Sequence, residues 1–379
     1  MIYLDNSATT RPFDSAIEAM AACMRETYFN PSSLYAPAMR AGEILAEARR
    51  EILSAVGGRG QVFFTSGGTE ADNLAILGAQ RALRGRSGNF LTTKVEHPAV
   101  LETMAEVERL GCRVTYADVD AQGVVDVDAL VAAVDGETAL VSVMQVNNEV
   151  GARMPIAEIA RRVKEKNPRT LVHVDGVQGF LRVPIHMARE GVDLYTLSGH
   201  KIHGPKGIGA LVVAPGVHLL PTVFGGGQEG GLRSGTENVP GIAGMLAAVR
   251  AFRALPDPAG YMAGLRRRLW AGIRAAVPDA RLNGPEENAG HILNCTFPVK
   301  GEVLLHALEG EGVLCSTGSA CSSHKKSKSH VLAAMGRTPQ EIDGALRFSL
   351  CPMNTQEEMD QTAEAIGRCV NLLRAFRRR

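Results

Sequence analysis

The sequence predicts an α/β fold in which helices cover both faces of a mostly parallel sheet, followed by a smaller α+β region. Through the middle of the chain, short apolar runs alternate with longer stretches of helical periodicity. Alternation of this kind is typical of strand–helix–strand units, whose strands pair in parallel. After about Val249 the alternation stops, and Pro256-Asp257-Pro258 interrupts the chain.

Short apolar runs predict the strands of the main sheet, and amphipathic stretches predict the helices between them. The predicted strands are Gln61–Ser66, Asn89–Thr93, Arg113–Ala117, Ala139–Val143 and Thr170–Val174. The predicted helices are Thr69–Arg84, Pro98–Leu110, Val127–Val134 and Pro155–Lys166. Two further runs, Leu194–Leu197 and Ile208–Val213, close the series. Because the gap between these two runs is short, they predict a hairpin and an antiparallel edge.

The chain has 379 residues, which suggests two domains at roughly 150 residues each. We expect a large domain over residues 13–250 and a small domain over 1–12 plus 251–379. The second region opens with a helix, Ala259–Ala276, and then reads as strand, helix, strand and helix. Those four elements are Ile292–Phe297, Glu302–Glu309, Leu346–Leu350 and Gln356–Phe376.

Composition excludes several classes of protein. The net charge of +1 gives no field that would attract nucleic acid, so we expect no direct nucleic-acid partner. No apolar run approaches the ~18 residues of a membrane span, and the N-terminus lacks the pattern of a secretory signal. The seven cysteines form no CxxC pair, which fits neither a zinc cluster nor a disulfide framework. Scattered cysteines of this kind favour the reducing cytoplasm.

Lys201 is the strongest candidate for a catalytic residue. It lies in Ser198–Gly207, a segment of small residues and a proline between two predicted strands. A lysine in a partly desolvated pocket has a depressed pKa and forms Schiff bases readily. Taken alone, a loop lysine that closes a turn is an equally good interpretation.

Residues at the ends of the predicted strands support a ligand site around this lysine. Asp175 ends a strand, and ligands of open α/β sheets bind at that edge. Its carboxylate could hold a protonated pyridine nitrogen, with Gln178 beside a ring oxygen; a helix N-cap is the alternative for Asp175. Gly67–Glu70 joins a strand to a helix N-terminus, which favours a phosphate site that includes Gly68 and Thr69. A plain helix cap at Thr69 is the alternative.

Further polar residues occur in the same context. Ser198 and His200 could add donors to a phosphate, and His97 could stack on a planar ring, although a lone loop histidine is more often structural. Asn148 follows a strand at the same predicted edge, where it could contact a ligand or close a turn. The glycine-rich segment Gly225–Gly230 formally matches GxGxxG, but it occurs late and lacks the acidic residue that a dinucleotide site needs.

Cys321 is the candidate nucleophile among the cysteines. It lies in a small, polar segment, Leu314–Lys328, and three lysines and a histidine follow it. Nearby cations favour the thiolate, which is the reactive form. Cys315, at a strand end, is more typical of a structural residue. Arg347 is a charge within an apolar strand, so we expect it to pair with a carboxylate, either internal or from a ligand.

The chain resembles the cysteine desulfurases of the aminotransferase class V group nearly end to end. Ser316–Cys321 is the segment that distinguishes this family from ordinary aminotransferases. The other matching segments are Tyr3–Thr10, Thr65–Ala75, Glu96-His97, Val146–Gly151, His173–Asp175, Ser198–Gly209 and Arg233–Thr236.

The resemblance implies a homodimer of pyridoxal 5'-phosphate (PLP) fold type I, with a seven-stranded-type sheet and the catalytic cysteine on the small domain. Lys201 would be the Schiff-base lysine, and Cys321 would take sulfur from L-cysteine as a persulfide, leaving L-alanine. The other implied roles are Asp175 at the pyridine nitrogen, Gln178 at the ring hydroxyl, His97 on the ring, Thr69, Ser198, His200 and the other subunit's Thr236 at the phosphate, and Asn148 and Arg347 on the substrate.

The resemblance leaves the sulfur acceptor and two rival functions open. The basic residues after Cys321 and the arginines at the C-terminus suggest a transfer-RNA thiolation enzyme as acceptor, although a solvated charge run is as good an interpretation. An iron–sulfur scaffold is the other expected acceptor. The rivals are a selenocysteine lyase or another PLP-dependent β-elimination enzyme, and a relay protein without catalysis.

Overall fold

The structure is a computed structural model that describes residues 1–318 and 328–377, with side chains described through residue 375. Its strands are β1 Ile2–Tyr3, β2 Gln61–Thr65, β3 Asn89–Thr93, β4 Arg113–Ala117, β5 Thr138–Met144, β6 Leu171–Asp175, β7 Leu194–Ser198, β8 Gly209–Val213, β9 Arg281–Asn283, β10 Ile292–Thr296, β11 Val313–Leu314 and β12 Ala345–Ser349. Its α-helices are α1 Asp14–Glu26, α2 Ala36–Ala55, α3 Gly68–Ala82, α4 Pro98–Arg109, α5 Val127–Ala132, α6 Ile156–Lys166, α7 Met187–Glu190, α8 Val239–Arg253, α9 Pro258–Ala276, α10 Gly301–Gly310, α11 His330–Ala334, α12 Pro339–Asp343 and α13 Gln356–Arg377.

A seven-stranded sheet in the order β2-β8-β7-β6-β5-β3-β4 organises the first two thirds of the chain. The pairs from β7 through β4 are parallel, which confirms the mixed α/β class and its mostly parallel sheet. Every residue of β3 and β7 is buried, because helices cover both faces of the sheet and leave neither face to solvent. The apolar runs in the sequence are the consequence of this double coverage.

The antiparallel pair was predicted correctly, but its place in the sheet was wrong. β8 pairs antiparallel with β7, as the short connection requires. On its other side β8 pairs antiparallel with β2, so β2 forms the edge and β8 is internal. The sequence pattern could not reveal this, because β2 lies about 140 residues earlier in the chain.

A second, three-stranded antiparallel sheet has the order β12-β10-β9. The helices α9 and α13 pack against each other beside it and contribute to one apolar cluster with β10 and β12. Ile2 and Leu4 join this cluster, because β1 pairs in parallel with β11. The exact residue bounds of the two domains stay a prediction.

The N-terminal segment Asp5–Thr10 connects the small sheet to the large one. Asp5 pairs with Ser349 at the end of β12. Five residues further on, the Thr10 N–H and hydroxyl both donate to the His200 carbonyl, just after β7. The segment therefore crosses the space between the two sheets. Within residues 1–318 and 328–377, none of the helices combines the length and apolar character needed to cross a bilayer.

Candidate active site

A cavity of about 810 Å³ lies where the strands of the large sheet end and faces β12 of the small sheet. Ten of the residues predicted for the site line it together: Gly68, Thr69, His97, Asn148, Asp175, Gln178, Ser198, His200, Lys201 and Arg347. Nine of them follow the carboxyl ends of strands or lie in the connections after them, and Arg347 comes from β12. The topology therefore collects at one edge residues that are up to about 130 positions apart in the sequence, and the small sheet adds Arg347.

Lys201 ends a short 3₁₀ turn, Gly199–Lys201, directly after β7. Its Nζ donates hydrogen bonds to the carbonyl oxygens of Ser7, at 2.6 Å, and Ala8, at 2.9 Å. The turn needs glycine at 199, because a Cβ there would lie 2.9 Å from Ile208 Cγ2 and 3.1 Å from the Pro205 oxygen. Close backbone packing thus aims the lysine into the cavity, and the N-terminal segment holds its amine.

Asp175 is the last residue of β6, and its carboxylate is buried in the cavity floor. Oδ1 accepts the Val177 N–H at 2.9 Å, so the carboxylate closes a turn rather than capping a helix. Burial raises the pKa of Asp175 to about 6, against the opposing effects of that hydrogen bond and of Lys201. A cation placed beside this carboxylate would lower its pKa again.

Two buried polar atoms near Asp175 have no hydrogen-bond partner among the described residues. The Gln178 Nε2 donates to the Ser7 carbonyl at 3.0 Å, but its Oε1 is without a partner there. The Ser198 hydroxyl, at the end of β7, is likewise without one. Since buried polar groups are normally hydrogen-bonded, both atoms are available to bond a polar ligand in the cavity.

The first turn of α3 forms the side of the cavity next to Ser198. The helix begins at Gly68 with Gly67 as its N-cap, so Thr69 lies inside the first turn and is not the cap. A Cβ on Gly68 would lie only 2.7 Å from Val177 Cγ2, which explains the glycine. The free N–H groups of this turn make it a site for an anion.

Two of the histidines that line the cavity, His97 and His200, are held neutral by their surroundings. His97 caps α4, and its Nδ1 accepts the Ala99 N–H at 3.1 Å, which leaves the ring proton on Nε2. Burial, with Lys201 and His330 nearby, lowers the pKa of His97 to about 4. Burial and the neighbouring Lys201 and Lys206 lower the pKa of His200 to about 4. Neutral rings of this kind can stack or accept hydrogen bonds without adding charge.

Arg347 already has a carboxylate partner inside the protein. Its Nη2 pairs with Asp5 Oδ1 at 2.8 Å, and only 3% of the arginine side chain is exposed. Nη1 donates to the Asn148 carbonyl at 2.9 Å and to the Gly318 carbonyl at 3.4 Å. The internal carboxylate is therefore the partner that the structure provides, while Nε has none among the described residues.

Several residues around the cavity could not be identified from the sequence. Asp72, on α3, lies 3.6 Å from the Nε2 of His173, and burial together with Asp175 raises the pKa of Asp72 well above its usual value. His173 points between Ser142 and Thr196, at 2.8 and 3.0 Å. His330 lines the cavity from α11. Of these residues, only Asp72 could have been recognised from the sequence. A charged residue on the buried face of a helix is unusual and would have indicated a special role.

One predicted residue lines a different cavity, and another falls outside the described residues. Thr236 lines a separate cavity of about 220 Å³, with Thr65, Arg233 and Glu237 among its neighbours. Its contribution to a site from another subunit stays a prediction. Cys321 lies outside the described residues. Cys315, predicted to be structural, is partly buried after β11, and burial raises the pKa of its thiol to about 12.

Comparisons with known proteins agree on one family. Residues 2–362 match the Aminotransferase class-V family model. A cysteine desulfurase of Nostoc sp. is 41% identical over 380 residues, covering 99% of this chain and 94% of that protein. A solved structure described as a NifS-like protein superposes with a TM-score of 0.91 at 38% identity, covering 98% of this chain and 100% of the other. A structure of SspA in complex with cysteine has a TM-score of 0.83 at 31% identity, covering 94% and 100%.

Proposed function

The chain belongs to the Aminotransferase class-V family and, within it, to the cysteine desulfurases, and from that premise we propose that its cavity binds PLP and removes the sulfur of L-cysteine. The observation that carries the proposal is the position of Lys201. Its amine enters a cavity whose floor is the buried carboxylate of Asp175. An amine and a buried carboxylate are the two groups that an aldehyde-bearing pyridine needs.

The polar atoms around the cavity fit the remaining parts of PLP. Asp175 would hold the pyridine nitrogen, and Gln178 Oε1 would accept the ring hydroxyl proton. Thr69, Ser198 and His200, with the N–H groups at the start of α3, would hold the phosphate. His97 would stack on the ring. The support for these roles is that Ser198 Oγ and Gln178 Oε1 are buried without a partner among the described residues.

When bound, PLP supplies an electron sink for the carbon atoms of the substrate. The protein supplies the proton transfers and the orientation. Lys201 Nζ would take the Cα proton, because it lines the cavity close enough to the buried Asp175 carboxylate to affect its pKa. Asp175 would hold the pyridine nitrogen with its carboxylate, while the neutral His97 would contribute a flat surface. The Ser7 and Ala8 carbonyls hold Nζ between these steps.

Cys321 completes the reaction as the sulfur acceptor. Its thiolate attacks the sulfur of L-cysteine, a sulfur–sulfur bond forms, and the bond between that sulfur and Cβ breaks. Cβ gains a proton, so the products are L-alanine and a persulfide on Cys321. The atoms and electrons balance without an external oxidant or reductant. The family resemblance and the basic residues that follow Cys321 in the sequence support this role.

Substrate and partners follow from the same proposal. Asn148 and Arg347 would orient the substrate, with Asp5 fixing the guanidinium until a second carboxylate arrives. The protein would act as a homodimer, with the partner's Thr236 at the phosphate, and would pass its persulfide sulfur to an acceptor protein. An iron–sulfur scaffold and a tRNA-thiolation enzyme are the two candidate acceptors. The desulfurase names of the relatives favour this activity over selenocysteine lysis.

Mass spectrometry after addition of L-cysteine tests the proposal. We expect one added sulfur on Cys321, with alanine formed in step. Lys201→Ala should slow alanine formation by about 10²–10⁴-fold, the range lost when an acid–base group is removed. Lys206→Ala, an exposed lysine of the same loop, is the matched control and should behave as the parent protein. Alanine formation that persists undiminished in Lys201→Ala would refute the assignment.

A further inference from the structure

We propose that Glu149 is a positioning residue for sulfur transfer, because its carboxylate accepts a hydrogen bond from Ser329 and lies beside Gly318, the residues on either side of the segment that contains Cys321. The inference rests on the proposed function and adds a residue to it. It concerns residues 318 and 329 themselves, both of which the structure describes. Neither the sequence motifs nor the family comparison assigns this carboxylate a role.

One carboxylate oxygen is hydrogen-bonded to Ser329 and also lies next to Gly318. The Ser329 hydroxyl donates a hydrogen bond to Glu149 Oε2. On the other side, the backbone of Gly318 packs against that oxygen so closely that a Cβ on Gly318 would lie 3.2 Å from it. Gly318 has a φ of +89°, so glycine is favoured there for its conformation as well. One buried carboxylate oxygen thus fixes the distance between two chain positions that are eleven residues apart.

Gly318 and Ser329 each make further hydrogen bonds, which connect their positions to neighbouring elements. Ser329 is the N-cap of α11, and its Oγ accepts the Leu332 N–H at 3.0 Å. The Gly318 N–H donates to Ser316 Oγ at 3.1 Å, and its carbonyl accepts from Arg347. Glu149 therefore connects the start of α11 to the strand region beside Arg347.

The backbone of Glu149 makes hydrogen bonds toward both sheets. Its N–H donates to Asn147 Oδ1 at 2.9 Å, at the end of β5 in the large sheet. Its carbonyl accepts from Asn294 Nδ2 at 3.1 Å, on β10 of the small sheet. Only 3% of the residue is exposed. A bridge anchored in this way can keep positions 318 and 329 at one fixed place relative to the cavity.

The surroundings explain why a carboxylate is tolerated here. Burial raises the pKa of Glu149, and the Ser329 hydrogen bond and the nearby His330 and Arg347 side chains oppose that rise. His330 is itself fixed, since its Nε2 donates to the Glu96 carbonyl at 2.9 Å. A residue whose only role was to fill space would be better as an apolar side chain, because a buried carboxylate loses its hydration.

Hydrogen exchange and steady-state kinetics on the PLP-bound protein test the proposal together. In Glu149→Ala we expect amide exchange to rise about tenfold or more in peptides covering both 312–318 and 328–335. We expect kcat for alanine formation to fall roughly ten- to a hundredfold, as misplacement of a reacting group does, while the KM for L-cysteine changes by less than about threefold. Absorbance of bound PLP should be unchanged.

Two further variants separate positioning from a general loss of structure. Glu149→Gln keeps the shape and an oxygen that accepts from Ser329, so it should recover kcat to within about threefold of the parent protein. Ser329→Ala should raise exchange in 312–318 as well as in 328–335, since the effect passes through Glu149. Glu341→Ala is the matched control, because it removes a carboxylate that bonds a threonine hydroxyl at the cap of α12. It should leave exchange in 312–318 unchanged.

These experiments distinguish failure of the positioning role of Glu149 from failure of the proposed desulfurase function. Faster exchange confined to one of the two peptides in Glu149→Ala would overturn it, as would an unchanged kcat in a protein that makes alanine. A parent protein that makes no alanine from L-cysteine would refute the proposed function instead. The exchange measurements would then still decide whether Glu149 holds the two positions together.

Discussion

Two walls of the cavity differ in how their polar groups are satisfied. The sheet wall, formed by Asp175, Gln178 and Ser198, contains buried polar atoms that have no hydrogen-bond partner among the described residues. The arginine wall, formed by Asp5, Asn148 and Arg347, is joined by an internal ion pair and a hydrogen bond to a backbone carbonyl, although Arg347 Nε also lacks a partner among the described residues. The difference indicates that the sheet wall is built for a resident ligand, whereas the arginine wall is stable by itself and can bind a substrate transiently.

Breaking the ion pair of the arginine wall should give the largest loss of stability. In Arg347→Met, Asp5 loses its partner, and the Asn148 and Gly318 carbonyls lose a donor. We expect the free energy of unfolding to fall by about 3 kcal/mol, the lower end of the range for a broken buried pair. The lower end applies because Asp5 keeps 20% of its side chain exposed. Urea denaturation of the protein without PLP measures this change.

An exposed ion pair of similar geometry is the control for this measurement. Arg268 bonds Asp360 through two nitrogens, and both side chains are about half exposed. Arg268→Met should cost less than about 1 kcal/mol, as exposed ion pairs do. Equal losses for the two variants would mean that the arginine wall is no more self-supporting than the protein surface.

The sheet wall could be predicted from the sequence much better than the arginine wall. Asp175 and Ser198 end short apolar strands and Gln178 follows one, and parallel strands bring their carboxyl ends to one edge. Local pattern plus this one rule was sufficient to group them. The place of β2 at the edge of the sheet was missed, because pairing between distant strands leaves no local pattern.

The arginine wall depends on contacts between distant parts of the chain. Arg347 was expected to meet a carboxylate, but its pairing with Asp5 joins residues 342 positions apart.

Other contacts around the cavity could not be predicted either. The Ser7 and Ala8 carbonyls that hold Lys201 are backbone atoms, so no side chain signalled them. His173 lies inside an apolar strand, where only the packed structure shows Ser142 and Thr196 on either side of the ring.

The support beneath the sheet wall should make stability depend on pH. Burial lowers the pKa of His173 from 6.5 to about 3, so between these values the folded protein binds fewer protons than the unfolded chain. Stability should therefore fall as pH drops below 6.5. Relative to His173→Gln, which cannot titrate, the parent protein should lose about 2 kcal/mol between pH 7 and pH 5. Urea denaturation of both proteins at the two pH values measures the difference.

A control variant at an exposed histidine tests whether the pH dependence of stability comes from the buried His173. His306 is exposed on α10, and His306→Gln measures what the loss of any imidazole does to the pH dependence. If the parent protein and His173→Gln keep the same stability difference at both pH values, the ring of His173 does not have to stay neutral. The packing beneath the sheet wall would then tolerate a protonated, positively charged His173 ring.

The smallest effect separates the two walls most sharply, because it should appear only when PLP is present. Ser198→Ala removes a hydroxyl that has no partner among the described residues, so unfolding of the PLP-free protein should change by less than about 0.5 kcal/mol. PLP affinity should fall roughly tenfold or more, as expected for one hydrogen bond to a charged phosphate. Ser142→Ala, on β5 of the same sheet, should do the reverse, because its hydroxyl bonds His173 at 2.8 Å inside the protein. It should destabilise the PLP-free protein by about 1 kcal/mol and leave PLP affinity nearly unchanged.

If Ser198→Ala instead destabilises the PLP-free protein as much as Ser142→Ala does, the Ser198 hydroxyl has a structural partner inside the protein. The contrast between the sheet wall and the arginine wall then fails.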